Sequence, residues 1–298
     1  EIDNIIFLDC GSNSHDVISH LKTKKIKTII VDHHIINNLD IPKSDIIINP
    51  AKDNKKFVDY NVCAATLTFF LVDVINKKLN SKFRLNDYFI FSLISTICDL
   101  MPLRGFNRKI LAIGFKNLVI KNKGLKKLIN TNLKKKLTYQ DIGFNIGPVI
   151  NSSGRIDKAN HVVELFLSQN DDEIETLINK INNHNITRKK IEQENLELID
   201  FKKCYDKNII FIYNKKFHEG VIGIIAAKLS QIFNKPCFII TESHDLLKCS
   251  IRSGNNLKIN KTINKLIANK LIISGGGHDE AGGFSAKKGK LIDIEDFL

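Results

Sequence analysis

Two apolar runs near the start of the chain each stop on a carboxylate, and a helix-period segment lies between them. The first reads NIIFLD at residues 4–9 and the second IKTIIVDHH at residues 26–34. Between them, HDVISHLKTK places Val17, Ile18 and Leu21 at helical spacing. Strand, helix, strand predicts a parallel βαβ unit, because parallel strands need a crossover rather than a tight turn. SDIIINP at residues 44–50 predicts a third strand, closed by Pro50. Ligands of open parallel sheets bind beyond the carboxyl ends of the strands. Asp9 and the group Asp32, His33 and His34 are therefore expected at one sheet edge.

The rest of the chain alternates in the same way. Residues 62–79 and 86–98 predict mostly apolar helices, and the second runs into CDLMPL, which puts Asp99 just before a Pro-punctuated loop. Residues 109–137 are lysine-rich and helical in period. FNIGPVINSSGRID at 144–157 is expected to be a loop, too polar for core. Residues 171–202 predict a long charged helix opened by acidic residues, with Ile174, Leu177, Ile178 and Ile181 on one face. From about residue 208 come the strand NIIFIY, the glycine-opened helix HEGVIGIIAAKLSQIF, the strands PCFIIT and LLKCSIRS, the helix INKTINKLIANK and the segment SGGGHDEAGGFSA. The expected class is α/β: a parallel-sheet domain over residues 1–165, a connecting helix over 166–204, and a smaller α/β domain over 205–298. No solenoid-type repeat is present.

With 298 residues and 43% hydrophobic content, the chain can build two cores, which excludes a disordered or collagen-like protein. Lys and Arg outnumber Asp and Glu by 45 to 32, a formal charge of +13 that suits a polyanion such as nucleic acid. AT-rich coding DNA, which favours Lys, Asn and Ile, would give the same excess. The six cysteines stand singly with no C-x-x-C pair, so neither a zinc ribbon nor a disulfide framework is supported. Buried thiols in a reducing, cytoplasmic compartment are expected instead. No apolar run reaches membrane-span length and no signal peptide is visible, so a membrane is not an expected partner. The chain starts at Glu1 and its one methionine is Met101, which suggests a piece of a longer or processed protein.

Several groups offer chemistry. Asp9, Asp32, His33 and Asp99 combine carboxylates, which suit hard divalent cations, with an imidazole, which adds preference for manganese, iron or zinc. Such a set suits a two-metal site acting on a phosphoryl group; the alternative is that Asp32 caps the next segment and the histidines are surface residues. In SGGGHDEAGG, Gly275, Gly276 and Gly277 are expected to form a loop whose N–H groups close around a phosphate, with His278 beside it; the alternative is a flexible turn. INSSGRID offers Asn151 and Arg155, CSIRSG offers Arg252 and Ser253, and each sets an arginine among small polar residues, as phosphate recognition requires. A solvated side chain is the alternative for each arginine. His218 opens the FHEGVIG segment, where it would bind a ligand or cap the helix. Ser14, His15 and Asp16 are chain neighbours and not a triad. His20, His161, His184 and His244 show no partner pattern, and the lysine runs at 121–136 are expected to form a solvated face.

Taken together, LDCGS, VDHH, INP, CDLMPLRGFNRK, GPVINSSGRID, HEGVIGIIAAKL, IRSG and GGGHDEAGGF resemble the DHH phosphoesterases in order and along nearly the whole chain. HEGVIGI and PLRGFNR resemble the RecJ single-strand exonucleases within that family. The resemblance implies two Mn²⁺ (or Mg²⁺) ions, with Asp9 bridging them, His33 and Asp99 as further ligands, Asp32 in support and His34 toward phosphate. It implies that His218, Arg252, Ser253, Gly275, Gly276, Gly277 and His278 hold substrate phosphates in a DHH-associated domain, aided by Asn151 and Arg155. The implied activity is hydrolysis of single-stranded DNA from its 5′ end in repair and recombination, by a monomer. The family's Asp-x-Asp motif would lie upstream of Asp9, where Asp3 is the one carboxylate of that type, so weak metal binding and little turnover by this piece alone are expected. Two alternatives stay open: a non-catalytic remnant that binds nucleic acid, and an oligonucleotide or nucleotide phosphatase of the same superfamily.

Overall fold

The computed structural model describes residues 2–36, 40–52, 61–133, 137–254 and 257–298. The chain divides into two compact units, Glu1–Ile150 with Val163–Ile178, and Asn151–Val162 with Asn179–Leu298.

The first unit opens with β1 (Asn4–Leu8), α1 (His15–Thr23), β2 (Lys27–Val31) and β3 (Ile46–Ile48). The strands are parallel in the order β1-β2-β3, the expected βαβ unit with its third strand. Central β2 buries Ile30 and Val31 completely, whereas edge strand β1 leaves Ile6 and Leu8 about half exposed. Leu8 pairs with Val31 and Val31 with Ile48, so both strands end level. The ladder runs one residue further: Asp9 N–H donates to Val31 O (2.9 Å) and Asp32 N–H to Ile48 O (3.0 Å).

Helices follow: α2 (Ala64–Lys78), α3 (Phe89–Cys98), α4 (Gly105–Lys116), α5 (Lys123–Asn132), α6 (Tyr139–Asp141), α7 (Gly147–Ile156), α8 (Asn160–Leu167) and α9 (Asp171–Glu197). Helix α3, FIFSLISTIC, is almost wholly apolar and buries Ile90, Leu93 and Ile94 against Ile110 of α4 and Leu125 and Ile129 of α5. Each such side chain contributes roughly 2 kcal/mol by leaving water. Gly114 lets α4 approach, since a Cβ there would lie 3.0 Å from Leu93. The lysine-rich segment is two helices, broken at 117–122, where Asn122 Oδ1 accepts the Leu125 N–H (2.8 Å) and restarts the helix. Lys123 and Lys127 pair with Asp171 and Glu175 (2.8 and 3.0 Å), and residues 134–136 of the lysine run lie outside the described residues.

The second unit continues with α10 (Lys202–Tyr205), β4 (Ile210–Tyr213), α11 (Ile222–Phe233), β5 (Cys237–Ser243), β6 (Leu246–Arg252), α12 (Ile259–Ala268), β7 (Ser274–Gly277), β8 (Ala281–Lys287) and α13 (Leu291–Phe297). Its mixed sheet has the order β4-β5-β6-β8-β7, with β4 and β5 parallel and the other pairs antiparallel. Strand β5 explains the sandwich. Cys237 and Ile239 face Ile225, Ala226 and Leu229 of α11, while Phe238 and Ile240 face Ile263 and Leu266 of α12. A strand covered on both faces reads as a continuous apolar run, as PCFIIT does.

Two expectations are corrected. FNIGPVINSSGRID is helical, a π-turn at Ile142–Ile146 leading into α7. Its polarity is used inside: Ser152 Oγ donates to Ile181 O (3.2 Å) and Ser153 Oγ meets His184 Nδ1 (3.1 Å), both serines being buried against α9. The run Gly275–Gly277, expected as a loop, is edge strand β7, with Gly275 opposite Phe284 and Gly277 opposite Gly282. Those glycines serve close approach: a Cβ on Gly275 would lie 2.9 Å from Phe284 Cβ, and one on Gly277, at φ +156°, would lie 2.3 Å from Ala281 O.

Candidate functional site

In the first unit the carboxyl edge of the parallel sheet gathers the predicted residues. Asp9 leaves β1 in the left-handed region (φ 62°), a conformation that Asp tolerates better than most residues. His33, whose side chain is nearly buried, places Nε2 3.2 Å from Asp9 Oδ1 and 3.2 Å from Asp99 Oδ2. Asp99 is delivered by a Schellman turn at the end of α3. Met101 N–H donates to Thr96 O (3.1 Å), Leu100 N–H to Ile97 O (3.2 Å), and Leu100 takes φ 52°.

Asp32 does not face outward with these groups. It is 1% exposed and acts as a brace. Oδ2 accepts the Ser12 N–H (3.0 Å); Oδ1 accepts the N–H groups of His33 (2.8 Å) and His34 (3.2 Å) and meets His34 Nδ1 at 2.7 Å. Burial alone would raise its pKa, but the hydrogen bonds from His34 and Ser12 outweigh it and hold the carboxyl well below the usual carboxylate range. In return, the hydrogen bond to Asp32 raises the His34 pKa above its ordinary value. A neutral His34 thus carries its proton on Nδ1. Asp9, His33 and His34 each bring one ligand atom to within 4.8 Å of the others. Carboxylate oxygens and imidazole nitrogens at that spacing fit a divalent transition ion such as Mn²⁺ better than Mg²⁺, which prefers all-oxygen shells.

Sequence reasoning missed two braces. Asn49, buried in the INP stretch, donates from Nδ2 to Ser12 Oγ (2.7 Å) and to His34 O (2.9 Å), and its Oδ1 accepts the Ala51 N–H (2.8 Å). Ser12 thus links Asn49 to Asp32. Their signal was a small polar residue one position beyond β3 and four beyond β1.

The second unit holds the predicted phosphate-binding residues. Arg155, at the end of α7, donates from Nη1 to Gly220 O (3.0 Å). His218 lies one turn before α11; its N–H donates to Asn195 Oδ1 (2.8 Å), and its Nδ1 accepts the Gly220 N–H (3.1 Å). Arg252 closes β6 and donates from Nη1 to Ile251 O (2.8 Å). Burial lowers the pKa of both arginines; the charge of Arg188 adds to this at Arg155, and that of Arg155 adds to it at Arg252. Ser253 N–H donates to Glu280 O (3.0 Å), and exposed His278 closes the β7–β8 turn by donating its N–H to Ala281 O (2.8 Å). Asn151 is exposed on α7. His161 and His184, expected to lack partners, both approach Asp157, at 3.0 and 3.8 Å. No helix among the described residues is long and apolar enough to cross a membrane.

Known proteins agree with this layout. Residues 3–96 match the DHH family, N-terminal domain, and residues 206–298 match the DHHA1 domain. The chain is 28% identical over 315 residues to the single-stranded-DNA-specific exonuclease RecJ of Salmonella typhimurium, covering 98% of this chain and 54% of that protein. It is 27% identical to the Escherichia coli protein of the same name, covering 96% of this chain and 54% of that one. The chain therefore spans about half the length of these relatives. A crystal structure of Thermus thermophilus RecJ in complex with Mn²⁺ superposes with a TM-score of 0.87 at 22% identity, covering 99% of this chain and 44% of that one. The chain thus carries a DHH-family N-terminal domain and a DHHA1 domain, and it is similar to RecJ along nearly all of its length.

Proposed function

We propose that this chain supplies the core of a divalent-metal-dependent exonuclease that hydrolyses single-stranded DNA from the 5′ end, in DNA repair and recombination. The observation that carries the reading is the meeting of Asp9 and Asp99 at His33 Nε2, 3.2 Å each, with His34 close by. These four residues would hold the metal, Mn²⁺ in preference to Mg²⁺, with two ions in the whole protein. When bound, such an ion acidifies water and offsets phosphoryl charge. The chain's own residues do the rest. Asp32 keeps the His34 ring turned and both histidine backbones fixed, through three hydrogen bonds. Arg155 and Arg252 supply positive charge for phosphate oxygens, and His218 supplies a hydrogen bond. Asn151, Ser253 and His278 are further candidates for the strand backbone.

The activity for which the relatives are named, exonuclease action on single-stranded DNA, supports the substrate class. The six free cysteines support a reducing, cytoplasmic setting, in which we take the protein to act as a monomer. Calorimetric titration with Mn²⁺ tests the centre: one or more saturable sites are expected, and His33→Ala should weaken them by more than about 100-fold. Heat unchanged by that substitution would remove His33 from the centre. Offered a long 5′-labelled single strand and a dinucleotide with Mn²⁺, the enzyme should favour the long strand. Preference for the dinucleotide would point to an oligonucleotide phosphatase instead.

A further inference from the structure

We propose that Gly220 is a positioning residue that couples His218 to Arg155, so that the two side chains meet a phosphate as one preset unit. The proposal rests on the reading that these side chains bind substrate phosphates. Three contacts carry it. The Gly220 N–H donates to His218 Nδ1 (3.1 Å), and the Gly220 carbonyl accepts from Arg155 Nη1 (3.0 Å). A Cβ built on Gly220 would lie 2.0 Å from the Arg155 carbonyl oxygen, so the end of α7 packs straight onto the Gly220 Cα. One residue thus touches one candidate's ring and both the side chain and the backbone of the other. Glycine is required here for closeness.

The contacts also fix chemistry. A backbone N–H can only donate to an unprotonated ring nitrogen, so neutral His218 carries its proton on Nε2. That leaves Nε2–H as the donor a phosphate oxygen needs. Asn195, buried on α9, anchors the His218 backbone N–H and so sets where the ring starts. Arg155 is held by a neutral carbonyl, which aims the guanidinium without cancelling its charge. Shifting the Gly220 peptide would therefore misplace both groups at once.

Two measurements on the 298-residue chain test this. In the first, a labelled, 5′-phosphorylated oligothymidylate is titrated against the parent, Arg155→Ala, His218→Ala and the double variant, by fluorescence anisotropy. Each single change is expected to weaken binding by about tenfold, as loss of a hydrogen bond to a charged group does, and the double variant should be little weaker than either. A double variant whose loss is the product of the two single losses would overturn the coupling while leaving phosphate binding intact. Unchanged binding in all three variants would overturn the phosphate reading itself. In the second, long-range ¹H–¹⁵N spectra of the parent should show the His218 ring protonated on Nε2, and protonation on Nδ1 would overturn the proposal without any variant. Gly220→Ala should match the double variant in affinity; parent-like affinity in a folded Gly220→Ala protein would overturn the proposal.

Discussion

Asp32 shows why a charged residue at a strand end need not be the one that does chemistry. It is the most buried member of its cluster and spends both oxygens on four hydrogen bonds. Asp32→Asn would keep the shape but set an NH₂ group against N–H donors, leaving at least one buried donor unmet. The expected cost is about 2–3 kcal/mol in urea unfolding. Mn²⁺ affinity should fall by about 10–100-fold, as when a group that orients a metal ligand is lost. The pair of losses distinguishes a brace from a ligand, since replacing exposed Asp9 should weaken Mn²⁺ binding with little effect on unfolding. The sequence exposed Asp9, Asp32, His33 and Asp99 because charge at the end of an apolar run is conspicuous. Ser12 and Asn49 escaped because an uncharged side chain beyond a strand looks like any loop residue, and their partners lie 20 and 37 positions away.

At the scale of elements, periodicity revealed the strands and most helices, and polarity misled where partners were distant. The serines of α7 suggested a loop because their acceptors on α9 lie 29 and 31 residues on. The glycines of β7 suggested a loop because nothing local shows that Phe284 and Ala281 need the space. Helix α3 illustrates a different tension. Its end is a Schellman turn with Leu100, not glycine, at φ 52°, and that side chain is 87% exposed, so it gains little from packing. A left-handed non-glycine residue costs roughly 1–2 kcal/mol. Leu100→Gly is therefore expected to raise stability by up to about 1 kcal/mol in chemical denaturation, after the loss from glycine's greater freedom in the unfolded chain. A drop in stability would show that the Leu100 side chain has a partner that outweighs the strain.

At the scale of the whole molecule, the formal charge of +13 says more about how binding depends on salt than about where DNA sits. Part of the excess is already matched, as with Lys123 and Lys127 on α5 and Lys228 against Glu192. If Arg155 and Arg252 each neutralise one phosphate while neutral His218 adds a hydrogen bond, the logarithm of affinity should fall with the logarithm of salt with a slope of about −1.4. That is about a sevenfold loss between 50 and 200 mM salt. A flat response would mean that the strand's backbone is not what the protein grips. The broad division into two α/β bodies was legible because each carries its own apolar runs, long enough for a separate core. The assignment of residues 151–162 to the second body was not, because it depends on the buried contacts of α7 and α9.

The edge strand β1 has a practical consequence. Among the described residues no strand pairs with its outer side, and Ile6 and Leu8 are about half exposed along it. A short apolar edge of this kind is a template for another chain's backbone. Solutions concentrated for spectroscopy should therefore thicken with time into strand-paired oligomers, seen as a sedimentation coefficient that climbs with protein concentration. Ile6→Lys, placing a charge where a neighbour would have to stack, should keep the boundary constant.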